Sequence, residues 1–217
     1  MTITIFLADD HRLIMEGLCL ILNNEPDLKV VGQATDGRTL VQEAVKQQPD
    51  VAIVDITMPE LNGIEAVHQL REQCPRCRVI MLSMHGTARL VIQALEAGAS
   101  GYLLKGSASE EVVEAVRSVL RGQRYLSQKI ADLISEDAVV RPQTERVEDP
   151  ILRLSSRERE VLQLVVEGYT NAKIAEKLNL SPKSIATYRS RIMGKLKLPD
   201  LPSLIKFALL QDLTPPQ

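Results

Sequence analysis

The stretch DVAIVDITMPELNG, Asp50 to Gly63, decides the fold. Its apolar run Val51-Ala52-Ile53-Val54 stops at a carboxylate, Asp55, with Pro59 and Gly63 following in a sharp turn. A short apolar run bounded by turn residues reads as a buried strand. In a doubly wound sheet, ligands bind beyond the carboxyl ends of the strands. A strand ending in Asp55 therefore places that carboxylate where such a sheet does its chemistry.

Working outward, four further runs read as strands: Ile3–Ala8, Lys29–Gln33, Val79–Leu82 and Tyr102–Leu104. Helical periodicity fills the intervals, at about 12–24, 37–48, 62–73, 87–98 and 108–121. Alternating strands and helices predict an α/β, doubly wound, five-stranded parallel sheet over residues 1–125. Ser107 to Glu110 (SASE) reads as a capping box for the last of these helices, and Gly98 and Gly122 stand where helices should stop.

Residues 126–150 read as a linker with room for one short helix in LSQKIADLI. Residues 151–217 read as a small all-α unit. Ser155 to Glu158 (SSRE) forms a capping box, and Ser181 caps a helix with Pro182 at its first position. Residues 1–150 carry a charge balance of −7, and residues 151–217 one of +5. An acidic front and a basic back imply two modules with different partners. No apolar run approaches the ~20 residues of a membrane span, and the N-terminal stretch lacks a signal-peptide pattern, so a cytoplasmic protein is expected. Three cysteines argue against a disulfide framework, and Cys74-Pro75-Arg76-Cys77 reads as a helix end running into a strand rather than as a redox or zinc motif.

The strand-end residues form a chemical set: Asp9 and Asp10 after the first strand, Asp55 after the third, Ser83 after the fourth and Lys105 after the fifth. Crowded carboxylates repel one another and call for a cation, and hard oxygen donors suit Mg2+. Lys105 supplies a positive charge, and Ser83 a hydroxyl donor, for a phosphoryl group. Together they make Asp55 a plausible nucleophile toward phosphorus. Taken singly, each residue has a plain structural reading, with Asp9-Asp10 as a helix cap, Lys105 as a surface lysine and Tyr102 as core.

ADDH (8–11), VDITMPELNG (54–63), MLSMH (81–85) and GYLLK (101–105) resemble the CheY-like receiver domain of bacterial two-component response regulators. The resemblance implies that Asp55 accepts a phosphoryl group from a sensor histidine kinase. It implies Mg2+ held by Asp10 and Asp55, with Asp9 beside them and the Thr57 backbone carbonyl as another ligand. Ser83 and Lys105 would contact the phosphoryl oxygens. Tyr102 would be the switch aromatic, and Thr57 and His85 would tune phosphoryl lifetime.

In the basic part, PKSIATYRSRIMGKLK (Pro182 to Lys197) holds five Lys or Arg and no acid. Ile185, Ile192 and Leu196 share one helical face, while Lys183, Thr187, Ser190 and Arg191 lie largely opposite. Behind a short turn, this reads as a helix-turn-helix recognition helix for a major groove. Residues 154–196 resemble the LuxR-type helix-turn-helix of the NarL/FixJ family. The candidate DNA-binding residues are Thr170, Asn171, Lys183, Thr187, Arg189, Ser190, Arg191 and Lys195. Ala186 and Tyr188 depart from the family pattern, so no base preference is carried over.

The combined expectation is a transcriptional switch, not a turnover enzyme. Phosphorylation of Asp55 would control binding to double-stranded DNA through domain release, homodimerisation or both. Two other readings are an aspartyl-phosphate hydrolase, which DITMP does not match and which would need a cap domain, and a regulator whose receiver is never phosphorylated.

Overall fold

The computed structural model describes residues 2–84, 86–140 and 150–209. His85 and the 141–149 part of the expected linker lie outside the described residues. The first module runs β1 (Ile3–Ala8), α1 (Arg12–Asn23), β2 (Leu28–Ala34), α2 (Gly37–Gln47), β3 (Val51–Asp55), α3 (Gly63–Gln73), β4 (Arg78–Ser83), α4 (Ala88–Ala97), β5 (Gly101–Leu104) and α5 (Ser109–Leu120). A sixth strand, β6 (Tyr125–Leu126), and α6 (Gln128–Val140) follow. The sheet order is β2-β1-β3-β4-β5-β6, and every pairing is parallel.

The sheet has six strands rather than the expected five. Tyr125 and Leu126 pair with Gly101 and Tyr102, and the Ser127 amide donates to the Tyr102 carbonyl at 3.2 Å. Two residues carry no readable alternation, so this edge strand leaves no periodic signal. Nor is the start of the expected linker a free tether. Ile130 is buried with the sheet's core, and Leu126 and Ile134 pack against it.

Each face of the sheet supports its own core. Phe6, Ala52, Val54, Met81 and Tyr102 pack under α2, α3 and α4. Ile5, Leu7, Ile53, Leu82 and Leu103 pack under α1 and α5. Alternate residues of each strand point to opposite faces, so strands buried on both sides read as the unbroken apolar runs seen in the sequence.

Local capping follows the sequence with one correction. Asp36, Asn62 and Thr87 cap α2, α3 and α4 through their side chains. The expected Ser107 cap does not form. The N-cap of α5 is Ala108, without a side-chain bond. The Ser107 amide closes a turn onto the Leu104 carbonyl at 3.0 Å, and Gly106 turns at φ +131, which places Ser107 one residue too early.

The second module follows a 3-10 turn at Pro150–Arg153 and comprises α7 (Ser156–Val166), α8 (Asn171–Leu178), α9 (Pro182–Leu196) and α10 (Leu201–Leu209). The Ser155–Glu158 capping box forms, and Ser181 caps α9 with Pro182 in its first turn. Val161, Leu162, Ile174, Leu178, Ile185, Ile192 and Leu204 build its core. Among the described residues, no helix is long and apolar enough to cross a membrane.

Candidate functional site: an acidic strand-end cluster and a basic helix

The parallel register brings the strand ends to one edge. Asp55 pairs with Leu82 and Ser83 with Leu104, while Ala8, just before Asp9, pairs with Val54. Asp9 and Asp55 are each 1% exposed. Lys105 enters from the end of β5. Its Nζ donates to Asp9 Oδ1 at 3.0 Å and stands 2.9 Å from Asp9 Oδ2 and 2.8 Å from Asp55 Oδ2. Burial pushes the Asp55 carboxyl up to about 6, aided by the Asp9 charge and opposed by Lys105 and a backbone bond from Thr57. Removing a carboxylate from water raises its pKa, and here one cation offsets two anions only in part.

His11 joins this cluster. Its Nδ1 lies 3.1 Å from Asp9 Oδ1, 2.8 Å from Asp10 Oδ1 and 3.4 Å from Lys105 Nζ. Ligand atoms of Asp9, Asp10, His11 and Asp55 lie within 4.8 Å of one another. Asp9 Oδ2, Asp10 Oδ1 and Asp55 Oδ2 are buried without an aligned hydrogen bond, with Lys105 Nζ near the first and the last and His11 Nδ1 near the second. Buried carboxylate oxygens with unused lone pairs beside a half-exposed Asp10 form a hard-oxygen donor set, which fits Mg2+.

Ser83 is buried at the end of β4. The Tyr102 ring is wholly buried, and its hydroxyl shares a hydrogen bond with the Ser83 side chain. Burial pushes that hydroxyl up to about 12, so it stays protonated, with the Ser83 bond pulling the other way. The cysteine pair takes no part. Cys74 and Cys77 are buried free thiols, and burial, then Cys74 itself, pushes Cys77 up to about 12, opposite to an activated thiolate.

On α9 the residues divide. Lys183, Thr187, Ser190 and Arg191 are exposed along one face, with Ala186 among them. Arg189 turns inward and donates to Asn171 Oδ1 at 2.7 Å, tying α9 to the start of α8. Lys195 pairs with Glu158 at 2.6 Å, tying α9 to α7. Thr170 caps α8 through its side chain. Four of the eight candidates, Thr170, Asn171, Arg189 and Lys195, therefore hold the fold, through bonds that helical spacing does not reveal.

Two family models match the chain. The response regulator receiver domain covers residues 5–117, and the bacterial regulatory proteins of the luxR family cover residues 152–208. The oxygen regulatory protein NreC of Staphylococcus epidermidis is 37% identical over 213 residues, spanning 96% of this chain and 98% of that protein. The chain belongs to the NarL/FixJ family of two-component response regulators. As a response regulator it joins a receiver to a LuxR-type DNA-binding domain. Among solved structures, RcsB of Salmonella enterica serovar Typhimurium bound to promoter P1flhDC with the phosphomimetic BeF3− superposes with a TM-score of 0.60 at 26% identity, covering 98% of both chains. A structure of two RcsB dimers bound to two parallel DNAs gives 0.59 at 25% identity, covering 99% of this chain and 100% of that one.

Sequence reasoning missed the part of this response regulator where its modules meet. Glu65 and Gln163 are 2% and 1% exposed, and the sequence reading singled out neither. The one available signal was Gln163 itself, set between Leu162 and Leu164 in an otherwise apolar run.

Proposed function

We propose that this response regulator takes a phosphoryl group on Asp55 from a sensor histidine kinase, and that this controls DNA binding and transcription through domain release, dimerisation or both. The observation that carries the reading is the Lys105 ammonium buried between Asp9 and Asp55, 2.8 Å from the Asp55 carboxylate. A buried lysine at that place keeps a cation ready for the negative charge that a phosphoryl group brings.

An Asp55 oxygen attacks phosphorus. The P–N bond to the kinase histidine breaks, and its electron pair returns to the imidazole. Asp10 and Asp55 would hold Mg2+, with Asp9 beside them and the Thr57 carbonyl as a further ligand. The ion neutralises phosphoryl charge when bound. Lys105 and Ser83 bond the phosphoryl oxygens, Tyr102 follows Ser83, and Thr57 and His85 tune the lifetime of the modified state. The transfer is stoichiometric, so the protein acts as a cytoplasmic switch and not as a turnover enzyme.

Lys183, Thr187, Ser190 and Arg191 face the major groove, and Thr170 and Asn171 at the start of α8 lie by the phosphates. Arg189 and Lys195 act by positioning α9. The promoter-bound RcsB with a phosphomimetic supports the coupling, and the RcsB dimers on DNA support a homodimer in the active state.

Intact mass after incubation with Mg2+ and a small phosphodonor tests the reading. One phosphoryl group on the wild type and none on Asp55→Asn is expected. No gain by the wild type overturns the proposal and leaves an inert receiver.

A further inference from the structure

The strand ends carry the acidic cluster, and the strand starts carry the opposite charge. Every pairing is parallel, so the starts of β4, β5 and β6 share the sheet edge opposite Asp55. Arg78 opens β4, while Ser100 and Arg124 directly precede β5 and β6. Arg71 reaches the same place from the last turn of α3. With Gln123 they line a cavity of about 340 Å³, at the small end of the ~300–1,000 Å³ range of ligand sites. Among the described residues, no Asp or Glu lines it.

Residues 1–150 carry a charge balance of −7, so carboxylates were plentiful. Arg117 shows the usual outcome, pairing with Asp27 at 2.6 Å. Arg71, Arg78 and Arg124 form no ion pair among the described residues. Asp50, whose carbonyl accepts from the Arg78 amide, gives its carboxylate to the Thr4 amide and hydroxyl at 2.8 and 2.7 Å. Glu96 offers Arg71 its main-chain carbonyl, 3.5 Å from Nη1. The Ser100 hydroxyl and the Gln123 carboxamide also have no hydrogen-bond partner among the described residues. The main-chain amides here are spent within the fold, Ser100 on the Val79 carbonyl and Gln123 on that of Ser118. The unused donors are therefore side chains. Arg71 is set in place by Gly98, which turns at φ +121 and where a Cβ would lie 2.9 Å from Arg71 Cδ.

Guanidinium groups stay charged across the physiological pH range and match phosphate oxygens with paired N–H donors. Three of them around one concavity repel one another until an anion enters. A single negative charge would leave two cations uncompensated. We propose that this pocket binds a small phosphate compound carrying two or more negative charges, such as a diphosphate, with Arg71, Arg78 and Arg124 on its oxygens and Ser100 and Gln123 as neutral donors. The site is separate from Asp55 and does not rest on the phosphoacceptor reading. Its concave form and small volume suit a compact ligand, whereas a duplex backbone is met by an outward face such as that of α9.

The test titrates the full chain with pyrophosphate, without added Mg2+ and at constant ionic strength, and follows the amides of Ser100 and Gln123 by NMR. Both should shift and saturate, with half-saturation below about 1 mM. Arg78→Ala and Arg124→Ala should each weaken binding by about ten-fold or more, because each removes a charge-assisted bond. Both arginines are exposed and form no hydrogen bond or ion pair through their side chains among the described residues, so the loss reads the pocket and not the fold. Ser100→Asp, which adds a carboxylate and keeps every arginine, should abolish binding. A wild-type shift that never saturates overturns the proposal. So do shifts that all three variants leave unchanged, and shifts on α9 with the same midpoint, which would mean diffuse attraction to basic surfaces. A random-sequence duplex that shifts Ser100 and Gln123, with the shift lost in Arg124→Ala, assigns the pocket to the DNA backbone and overturns it as well.

Discussion

Lys105 Nζ and Asp55 Oδ2 stand 2.8 Å apart with both side chains 2% exposed. Asp9 completes the arrangement 2.9 Å from the same ammonium. One cation thus serves two buried anions, and neither carboxylate has another positive side chain as near among the described residues. Removing a partner from a buried pair leaves charge without solvent, at a cost of about 3–5 kcal/mol. Lys105→Ala should therefore lower receiver stability in urea at pH 7 by about 3 kcal/mol, and adding Asp9→Asn to it should return at least half of that loss. Equal midpoints for the wild type and Lys105→Ala would contradict the account.

On α9, side-chain partners and not exposure separate the residues that present their side chains outward from those that hold the fold, since Lys195 is exposed and still pairs with Glu158. A side chain that neutralises one phosphate steepens the fall of log affinity with log salt by about 1, so its removal flattens the slope by that amount. Arg191→Ala and Lys183→Ala should each flatten that slope on a nonspecific duplex without shifting the melting transition. Arg189→Ala should instead melt early, because Asn171 is left without its donor and α8 without its tie to α9. Lys195→Ala should also melt early, through removal of the Glu158 pair.

Gly194 sits in the last turn of α9, and a Cβ there would meet nothing within 4 Å. It serves no close packing. Gly194→Ala should stabilise the DNA-binding domain by about 0.5–1 kcal/mol through helix propensity, seen as a higher thermal midpoint. An unchanged or lower midpoint would show that the position carries a cost the geometry does not contain.

The contact between the end of α7 and the receiver, where the Glu60 amide donates to Glu167 Oε1 at 2.9 Å, also titrates. Burial lifts the Glu167 carboxyl above its usual value, with Gln163 and the Glu60 amide pulling it down, Glu60's own charge raising it and Lys177 lowering it. Arg38 lies 3.7 Å from Glu60 at the same corner. A carboxyl whose pKa is raised on docking binds its proton more tightly docked than free. Docking is then strongest below the ordinary carboxylate value of 4.5 and weakens as pH rises through the lifted one. Scattering of the unmodified protein should show more separation at pH 7.5 than at pH 5, and Glu167→Gln should remove the difference. A separation that grows on acidification would reverse the sign and reject the assignment.

Much of the receiver was legible because its determinants are local. Strands buried on both faces leave apolar runs, and the residues after them are the strand-end set whatever the details of packing. Asp9, Asp55, Ser83 and Lys105 were found this way, and the parallel register brings them together. His11 stood in the ADDH motif but was given no role, because one histidine after two aspartates carries no periodic signal. β6 was missed because two residues cannot show alternation, and the cap of α5 was misplaced by one residue because the turn at Gly106 is set by the bond from Ser107 to Leu104.

The amino-acid sequence by itself determined the two modules, the acidic edge of one and the basic helix of the other, since hydrophobic period, turn residues and charge act over short stretches of chain. Only the tertiary structure decided which polar residues face water. Gln163, Glu65 and Arg159 look alike on paper to the residues that remain solvated. Their partners lie about a hundred positions away, and a hydrogen bond across that separation is fixed by how two surfaces meet, not by the residues on either side of it in the chain.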